Sequence, residues 1–233
     1  MGTPDGGGAG ASDVVVAFGS VWTVQCHSGT VARIDPSANQ QVELVQLADG
    51  AFCGNPYSIA ADDDNLWVTM KTDDGSSQKD WVFKLDTAGA TIGSSLVEGS
   101  GTPCGRFATD AALGVWINSC PDSEDSALIR IAPSAAGAEP GPATLVRLGG
   151  YLGSPALIEG RVWVPRVASR PTGPSVLVGV DPDSGEVVDA IRLALSSEVS
   201  ARVATPLIVA FDSVWVGGES GTLVRIPLAE LSR

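Results

Sequence analysis

Four cysteines and a single histidine are the residues of this 233-residue chain whose side chains first suggest chemistry. Cys26 and Cys120 each lie four residues after a tryptophan, and Cys53 and Cys104 each lie near the start of an apolar, strand-forming run. No Cys-x-x-Cys pair occurs, which weighs against a zinc site and leaves free thiols as the other alternative to disulfides. Four cysteines allow three pairings, so their number alone does not settle the connectivity.

The histidine, His27, directly follows Cys26 and is the first candidate for a general base or a ligand contact. A Ser-His-Asp triad would have to use it, yet no G-x-S-x-G elbow supports one. Other polar residues are expected at the same edge of the fold, where they would form a recognition surface. The candidate ligand-binding residues are His27, Asn55, Tyr57, Lys71, Arg106, Asn118, Arg166 and Glu219. Solvated loop ends would show a similar mixture, and this alternative stays open.

Three acidic runs, at 62–64, 73–74 and 122–125, are the segments that could attract a cation. Calcium loops space their oxygen ligands as D-x-D-x-D-G with a distal glutamate, and none of these runs has that spacing. We therefore predict solvated turns and neither a bound metal nor another cofactor.

The chain carries 27 acidic and 14 basic residues and a formal charge of −13, which disfavours nucleic acid and anionic membrane surfaces as partners. Apolar residues make up 44% and charged residues 18%, a balance typical of a globular domain. Residues 1–12 are glycine-rich without an apolar core segment, so we predict a flexible leader rather than a signal peptide.

An internal repeat positions these residues. Each copy has a short apolar strand, a turn, and a second strand centred on a tryptophan. The repeat tryptophans are Trp22, Trp67, Trp116, Trp163 and Trp215. A third strand follows with a basic residue between apolar ones, except in the fourth copy, which has Gly179 instead. Four short strands per copy are typical of a propeller blade, in which the tryptophan packs between neighbouring blades.

The pattern predicts an all-β fold, a five-bladed β-propeller of four-stranded antiparallel blades, as one domain over residues 13–233. The expected blades cover residues 13–50, 51–99, 100–150, 151–200 and 201–233. Longer connections at 72–80, 133–142 and 167–175 are expected to be surface loops. The last copy ends without a clear fourth strand, and such a free edge offers a route to self-association.

The geometry of a propeller blade also predicts which cysteines lie close together. The loop after the second strand and the connection into the first strand lie on the same face of a propeller. We therefore predict the disulfides Cys26–Cys53 and Cys104–Cys120, each adding roughly 3 kcal/mol to stability. Disulfides are typical of extracytoplasmic proteins, whether secreted, periplasmic or ectodomains.

Several motifs carry a family resemblance: Gly-x-Pro before a first strand, Val-Trp-Val on a second, Gly-Thr-x-x-Arg-Ile-Asp-Pro at 29–36 and Gly-x-Val-Val at 185–188. With them, the chain resembles the bacterial propellers of the virginiamycin B lyase-like, YVTN and NHL-repeat group. That resemblance implies either extracytoplasmic sensor and binding propellers or a lyase that opens a cyclic depsipeptide by metal-assisted elimination. The lyase site contains two histidines and an acid, whereas this chain has only His27.

We expect an extracytoplasmic propeller that binds or senses a small molecule, peptide or protein on one polar rim. The alternative is a metal-assisted lyase or hydrolase acting on a cyclic peptide or lactone, with His27 and Glu219 as catalytic residues: His27 would be the base, and rim carboxylates such as Glu219 would hold a divalent ion. Insertion into a membrane is not expected. The chain has too few candidate catalytic residues to favour an enzyme.

The disulfide prediction is checked by mass spectrometry of the intact protein after alkylation without reductant. Two disulfides leave no thiol to alkylate, so the mass should be unchanged, and alkylation after reduction should label all four cysteines. Peptide mapping of the oxidised protein identifies the pairs. Labelling before reduction would contradict both the disulfides and the extracytoplasmic location inferred from them.

Overall fold

Strands form nearly all the regular structure of this protein. The computed structural model describes residues 11–25, 28–49, 58–73, 75–99, 102–120, 126–167, 175–193, 207–217 and 222–231, with only the backbone of Ala11 and Cys120. Within these ranges there are twenty strands, no α-helix and one short 3-10 turn, Leu228–Glu230. No helix in the described part of the chain is long and apolar enough to span a membrane.

The first of two compact units comprises residues 1–98 and 132–143 and contains two four-stranded antiparallel sheets. Sheet one consists of β1 (Ala11–Ala17), β2 (Ser20–Gln25), β3 (Thr30–Asp35) and β4 (Gln40–Gln46). Sheet two consists of β5 (Ile59–Ala61), β6 (Asn65–Asp73), β7 (Gln78–Asp86) and β8 (Thr91–Val97). Because β1 begins at Ala11, the last two residues of the predicted leader belong to a strand.

The second compact unit comprises residues 99–131 and 144–233 and contains three sheets. Sheet three consists of β9 (Thr102–Asp110), β10 (Gly114–Cys120), β11 (Ala127–Ile131) and β12 (Ala143–Arg147). Sheet four consists of β13 (Tyr151–Leu152), β14 (Ala156–Ile158), β15 (Arg161–Val167), β16 (Ser175–Val180) and β17 (Val187–Arg192), with β13 and β14 both paired to β15. Sheet five consists of β18 (Leu207–Ala210), β19 (Ser213–Gly217) and β20 (Leu223–Pro227), and no fourth strand pairs with β20 among the described residues.

Stacked sheets form the cores because one sheet cannot bury both of its own faces. In the first unit, Trp22 of sheet one packs in a cluster with Ile59, Leu66 and Leu85 of sheet two. The ring lies so close to Gly89, in the turn between β7 and β8, that a Cβ there would come within 2.8 Å of it. Gly89 also has a φ of +96°, which favours glycine. The predicted packing role of this tryptophan is confirmed.

Polar contacts reinforce the stacking of sheet two on sheet one. The Asp13 carboxylate on β1 accepts hydrogen bonds from the Ser58 hydroxyl at 2.7 Å and from the Ile59 backbone N–H at 3.1 Å. Because Ser58 and Ile59 are buried, these bonds satisfy donors that would otherwise be left without water or a partner. A carboxylate at this position thus fixes the start of sheet two.

Each repeat tryptophan except Trp163 has a cation over its ring, supplied by the residue directly opposite on the third strand. The pairs are Arg33 with Trp22 at 5.4 Å, Lys84 with Trp67 at 5.5 Å, Arg130 with Trp116 at 5.3 Å and Arg225 with Trp215 at 5.7 Å. Opposed side chains of an antiparallel pair share one face, so the basic position of the repeat is explained by its cross-strand neighbour.

Lys84 is unusual among these cations because its side chain is 0% exposed. Its ammonium group donates to Ser134 Oγ at 2.8 Å, the Ala138 carbonyl at 3.0 Å and the Ala135 carbonyl at 3.1 Å. All three N–H donors are therefore used, and the connection at 133–142 is held on sheet two. Burial lowers the pKa of Lys84 below its ordinary value of 10.5, while the carboxylates of Asp62 and Asp64 act in the opposite direction.

Replacing the buried ammonium should loosen this connection. In a Lys84→Met variant the carbonyls of Ala135 and Ala138 lose their donor, so we expect the free energy of unfolding to fall by roughly 2 kcal/mol at neutral pH. Urea unfolding measures the loss. The equivalent Arg33→Met substitution in sheet one removes a half-exposed cation and should cost less. Equal losses in the two variants would contradict the role given to burial.

The wild type and the Lys84→Met variant also provide a pH test, because the direction of the stability change with pH is defined. Because the pKa of Lys84 is lowered in the folded state, the folded protein releases this proton before the unfolded chain does, which releases it near 10.5. The stability of the wild type relative to Lys84→Met should therefore rise as pH increases from the folded-state pKa towards 10.5. A constant or falling difference would show that burial does not control this lysine.

Candidate functional site

A cleft on sheet two is the leading candidate site. Its volume is about 360 Å³, within the range of small-molecule sites. The lining residues are Ala48, Asp49, Thr72, Asp73, Lys79, Trp81, Phe83 and Ser94. All of them belong to the first compact unit, so the cleft is complete within that unit. Aromatic surface and several polar groups thus meet in one concavity.

Trp81 is the tryptophan that stands outside the repeat, and it lies on β7 with its side chain half-buried. The indole N–H donates to Thr72 Oγ1 at 3.1 Å across the β6–β7 pair. Phe83, two residues further along β7, lies with its ring centroid 6.4 Å from that of Trp81 at an interplanar angle of 41°. The ring is therefore oriented by a hydrogen bond and an aromatic neighbour, and part of its surface remains open.

The rim of the cleft carries both signs of charge. Asp73 at the end of β6, Lys79 on β7 and Asp49 after sheet one are exposed and line the cleft. Lys71 was predicted as a ligand contact, and it lies beside this region, buried and 3.7 Å from the Asp80 carboxylate on the neighbouring strand. That ion pair links β6 and β7 beside Thr72, and the ligand contact of Lys71 stays a prediction.

A second polar cluster lies in the second unit, around the segment that includes β13. The amide N–H of Asn118 donates to the Leu152 carbonyl at 3.2 Å, and the Arg106 backbone N–H lies 3.5 Å from Ser154 Oγ. Arg166 is half-buried on β15, directly opposite Leu152. Three of the predicted contacts, Arg106, Asn118 and Arg166, are therefore brought to one segment of the fold.

Asn118 itself is 0% exposed, and its Oδ1 has no hydrogen-bond partner. A Cβ on Gly105 would collide with that oxygen, which accounts for glycine with a φ of +96° there. The side chain packs between sheets three and four rather than standing on a surface. Arg106 is exposed on β9, where a ligand has access to it.

Cys104 is disulfide-bonded, and its Sγ lies 3.5 Å from the amide nitrogen of Asn118. The register of β9 and β10 places Cys120 opposite Thr102, two residues from Cys104 along the neighbouring strand. The two cysteines of the predicted Cys104–Cys120 bond are thus diagonal neighbours on adjacent strands. Because the Cys120 side chain is not described, that pairing stays a prediction.

Other predicted residues lie outside the described ranges. They are Cys26, His27, Cys53, Asn55, Tyr57 and Glu219. The predicted Cys26–Cys53 bond and the catalytic alternative with His27 and Glu219 therefore stay predictions. Among the described residues, no group of three or more histidine, cysteine, aspartate or glutamate side chains could hold a metal ion.

Comparison with solved structures supports a β-propeller fold. A quinohemoprotein alcohol dehydrogenase from Comamonas testosteroni aligns at a TM-score of 0.63 and 12% identity, over 94% of this chain and 41% of the dehydrogenase. The WD40 domain of Toxoplasma gondii coronin, a propeller by its repeat class, aligns at 0.56 and 12%, over 93% of this chain and 58% of the coronin chain. A Bacteroides caccae protein of unknown function aligns at a TM-score of 0.56 and 12% identity, over 97% of this chain and 81% of that protein's chain.

These identities establish similarity of fold alone. No protein-family model and no curated protein matches the sequence. The chain spans less than two thirds of the coronin and dehydrogenase chains. The particular propeller group suggested by the sequence motifs is accordingly part of the proposal that follows.

Sequence reasoning did not assign Thr72, Asp73 and Lys79 to a site, because they fall in a segment predicted to be a surface loop. That prediction is wrong at its ends: β6 continues to Asp73 and β7 begins at Gln78, so most of the segment is strand. The available signal was the contiguous apolar run that begins at Trp81 and continues with valine and phenylalanine at positions 82 and 83. A tryptophan outside the repeat was the other mark of the site.

The hydrogen bond that orients Trp81 gives a direct test of this geometry. In a Thr72→Val variant the indole N–H loses its acceptor, so the ring should become more mobile and more accessible to acrylamide. The contribution of Trp81 to fluorescence quenching is isolated by subtracting the signal of Trp81→Phe in each background. Thr91→Val, an exposed threonine on β8, is the matched control and should change nothing. An unchanged Trp81 contribution in Thr72→Val would contradict the assigned bond.

Proposed function

We propose that this protein is a binding module that captures a small ring-bearing ligand, or one aromatic side chain of a peptide, in the cleft beside Trp81. The single observation that carries the proposal is the partly open face of Trp81 in a cleft of about 360 Å³. Trp81 lies outside the series of repeat tryptophans, and it both packs against the core of the first unit and lines the cleft.

The chemistry of the cleft favours a ligand with an apolar face and polar edges. The open face of an indole ring stacks with flat groups and attracts cations by its quadrupole. Two carboxylates, Asp49 and Asp73, line the cleft with one ammonium group, Lys79. Together with a chain charge of −13, this lining favours a ligand with an amine or other hydrogen-bond donors over an anion.

The architecture that supports the proposal is a propeller whose five sheets act as blades. Four sheets have at least four strands, and the fifth has three among the described residues. Sensor and binding propellers of the virginiamycin B lyase-like, YVTN and NHL-repeat group are the proteins that the motifs resemble, and we assign the chain to that class. A disulfide at Cys104 supports an extracytoplasmic location.

Fragment binding followed by nuclear magnetic resonance tests the site. Protein labelled with 15N at its six tryptophans gives six indole N–H signals, and the loss of one in Trp81→Phe assigns Trp81. The probes are tryptamine, which has an indole ring and an amine, and indole, which has the ring alone. We expect both to shift the Trp81 signal, and tryptamine to bind roughly tenfold more tightly because of the cleft carboxylates.

Two variants separate this site from nonspecific aromatic binding. Trp81→Ala should abolish saturable binding of tryptamine, and Asp73→Asn should reduce the advantage of tryptamine over indole. Phe211→Ala removes another exposed aromatic ring, 86% exposed in the second unit, and should leave binding unchanged. Probes that shift other indole signals while leaving Trp81 unmoved would show that the ligand site lies elsewhere.

A further inference from the structure

Three arginines of the second unit have no partner in the part of the chain that the structure describes. They are Arg106 and Arg192, which are exposed, and Arg166, which is half-buried. Every other lysine and arginine in the described ranges has an ion pair, a hydrogen bond or a comparable contact. Because the whole chain has 27 acidic and 14 basic residues, three basic residues without an acidic neighbour stand out.

Two of these arginines lie in one row across sheet four. Arg166 on β15 is directly opposite Val176 on β16, and Val176 is directly opposite Arg192 on β17. Opposed residues of antiparallel strands share a face of the sheet, so both arginines flank Val176 on the same face. Neighbouring strands are about 4.8 Å apart, which places the two arginine Cα atoms roughly 10 Å from each other. Two side chains of this length can therefore reach one small ligand above Val176.

Sheet three brings the third arginine to the same junction. Leu152, directly opposite Arg166 on β13, packs with Ala108 of sheet three in one core cluster. Arg106 stands two residues before Ala108 on β9, and its backbone N–H lies 3.5 Å from Ser154 Oγ, in the segment that follows β13. All of these residues belong to the second compact unit. The junction of sheets three and four thus carries three guanidinium groups within that unit.

The row in sheet four stands at the position of the repeat where sheet two has its cleft. Counted from the repeat tryptophan of each sheet, Val176 occupies the position of Trp81. The residues that flank Trp81 across sheet two are Met70 and Leu96, and both are apolar. In sheet four the two flanking positions are basic instead. The same place in the repeat therefore has a different chemistry in the second unit.

The surroundings of the three guanidinium groups favour an anion. Like charges that share one face repel each other, and no described carboxylate lies within ion-pair distance of any of the three. A guanidinium group presents five N–H donors in a planar fork that matches the oxygens of a carboxylate or a phosphate. Such charge-assisted hydrogen bonds are about twice as strong as those between neutral groups. The formal charge of −13 disfavours a long polyanion, so a small ligand fits best.

We propose that Arg106, Arg166 and Arg192 bind a small oxyanion, a phosphate or carboxylate group, at the junction of sheets three and four. Arg166 and Arg192 donate to its oxygens from the two sides of Val176, and Arg106 donates from sheet three. Binding of the anion offsets the repulsion between the three cations. This site lies in the second unit and is independent of the cleft beside Trp81, so either site can fail without the other.

Nuclear magnetic resonance of the full chain labelled with 15N at its arginines is the test. The Nε–H signals of the three arginines are assigned by the loss of one signal in each of the variants Arg106→Gln, Arg166→Gln and Arg192→Gln. The probes are inorganic phosphate and acetate, added separately at low ionic strength. We expect all three signals to shift together and to saturate at one affinity. Saturation by phosphate alone identifies a phosphate group as the ligand, and saturation by acetate alone identifies a carboxylate.

The variants test the contribution of each arginine. Arg166→Gln and Arg192→Gln should each weaken anion binding roughly tenfold, and Arg166→Lys, which keeps the charge without the fork, should also bind more weakly than the wild type. Arg147→Gln, at an exposed arginine on β12, is the matched control and should bind like the wild type. The dispersion of the amide signals verifies folding, and the exposed Arg192 carries the test if an Arg166 variant does not fold. The absence of a saturable shift with both probes, or equal weakening in Arg147→Gln, would overturn the proposal.

Discussion

The interaction on which the fold depends is the burial of one tryptophan per repeat against an adjoining sheet. A ring of this size removes about 150 to 250 Å² from water when buried, more than any other residue of the repeat can. It also needs a partner for its N–H. Trp22 donates to the Ala17 carbonyl, Trp116 to the Leu113 carbonyl and Trp215 to the Ala210 carbonyl, each at the end of the first strand or in the turn that follows it. In these three repeats one hydrogen bond therefore holds both the orientation of the ring and the position of the backbone next to it.

The fourth repeat lacks the cation that lies over the tryptophan ring in the other four, so it shows what the cation contributes. Gly179 stands opposite Trp163, and a Cβ there would come within 3.1 Å of the ring, so the indole occupies the space that a basic side chain uses elsewhere. Trp163 Nε1 is also buried without a hydrogen-bond partner. This sheet instead carries an ion pair between Arg161 and Asp189, whose charged atoms lie 3.5 Å apart. Packing alone suffices for stacking, and the cation is a reinforcement.

The parts of the structure that follow the repeat could be predicted from sequence, because five tryptophans in a common context define both strand pairing and the packed face. The contacts of Lys84 could not. Its position predicts a cation over Trp67, but its burial depends on carbonyls of a connection some fifty residues away in sequence. For the same reason Asn118 was expected on an accessible rim, although hydrogen bonding to Leu152 places it inside the fold. Such long-range contacts leave no local pattern.

A repeat fold of this kind constrains where binding can evolve. Residues that pack between two sheets are constrained by contacts on both sides. A ligand site is therefore more easily formed by residues that extend a strand than by substitution of the packed residues. Sheet two shows this: β6 and β7 each extend to nine residues, against six in β2 and β3 of sheet one. The extension carries Thr72 and Lys79 beyond the strand positions present in sheet one, next to Trp81, which stands at the position of Thr30 and packs partly against the core. Because Thr72 and Lys79 lie outside the stack, their chemistry can change while Trp67, Lys84 and the core between them remain as they are.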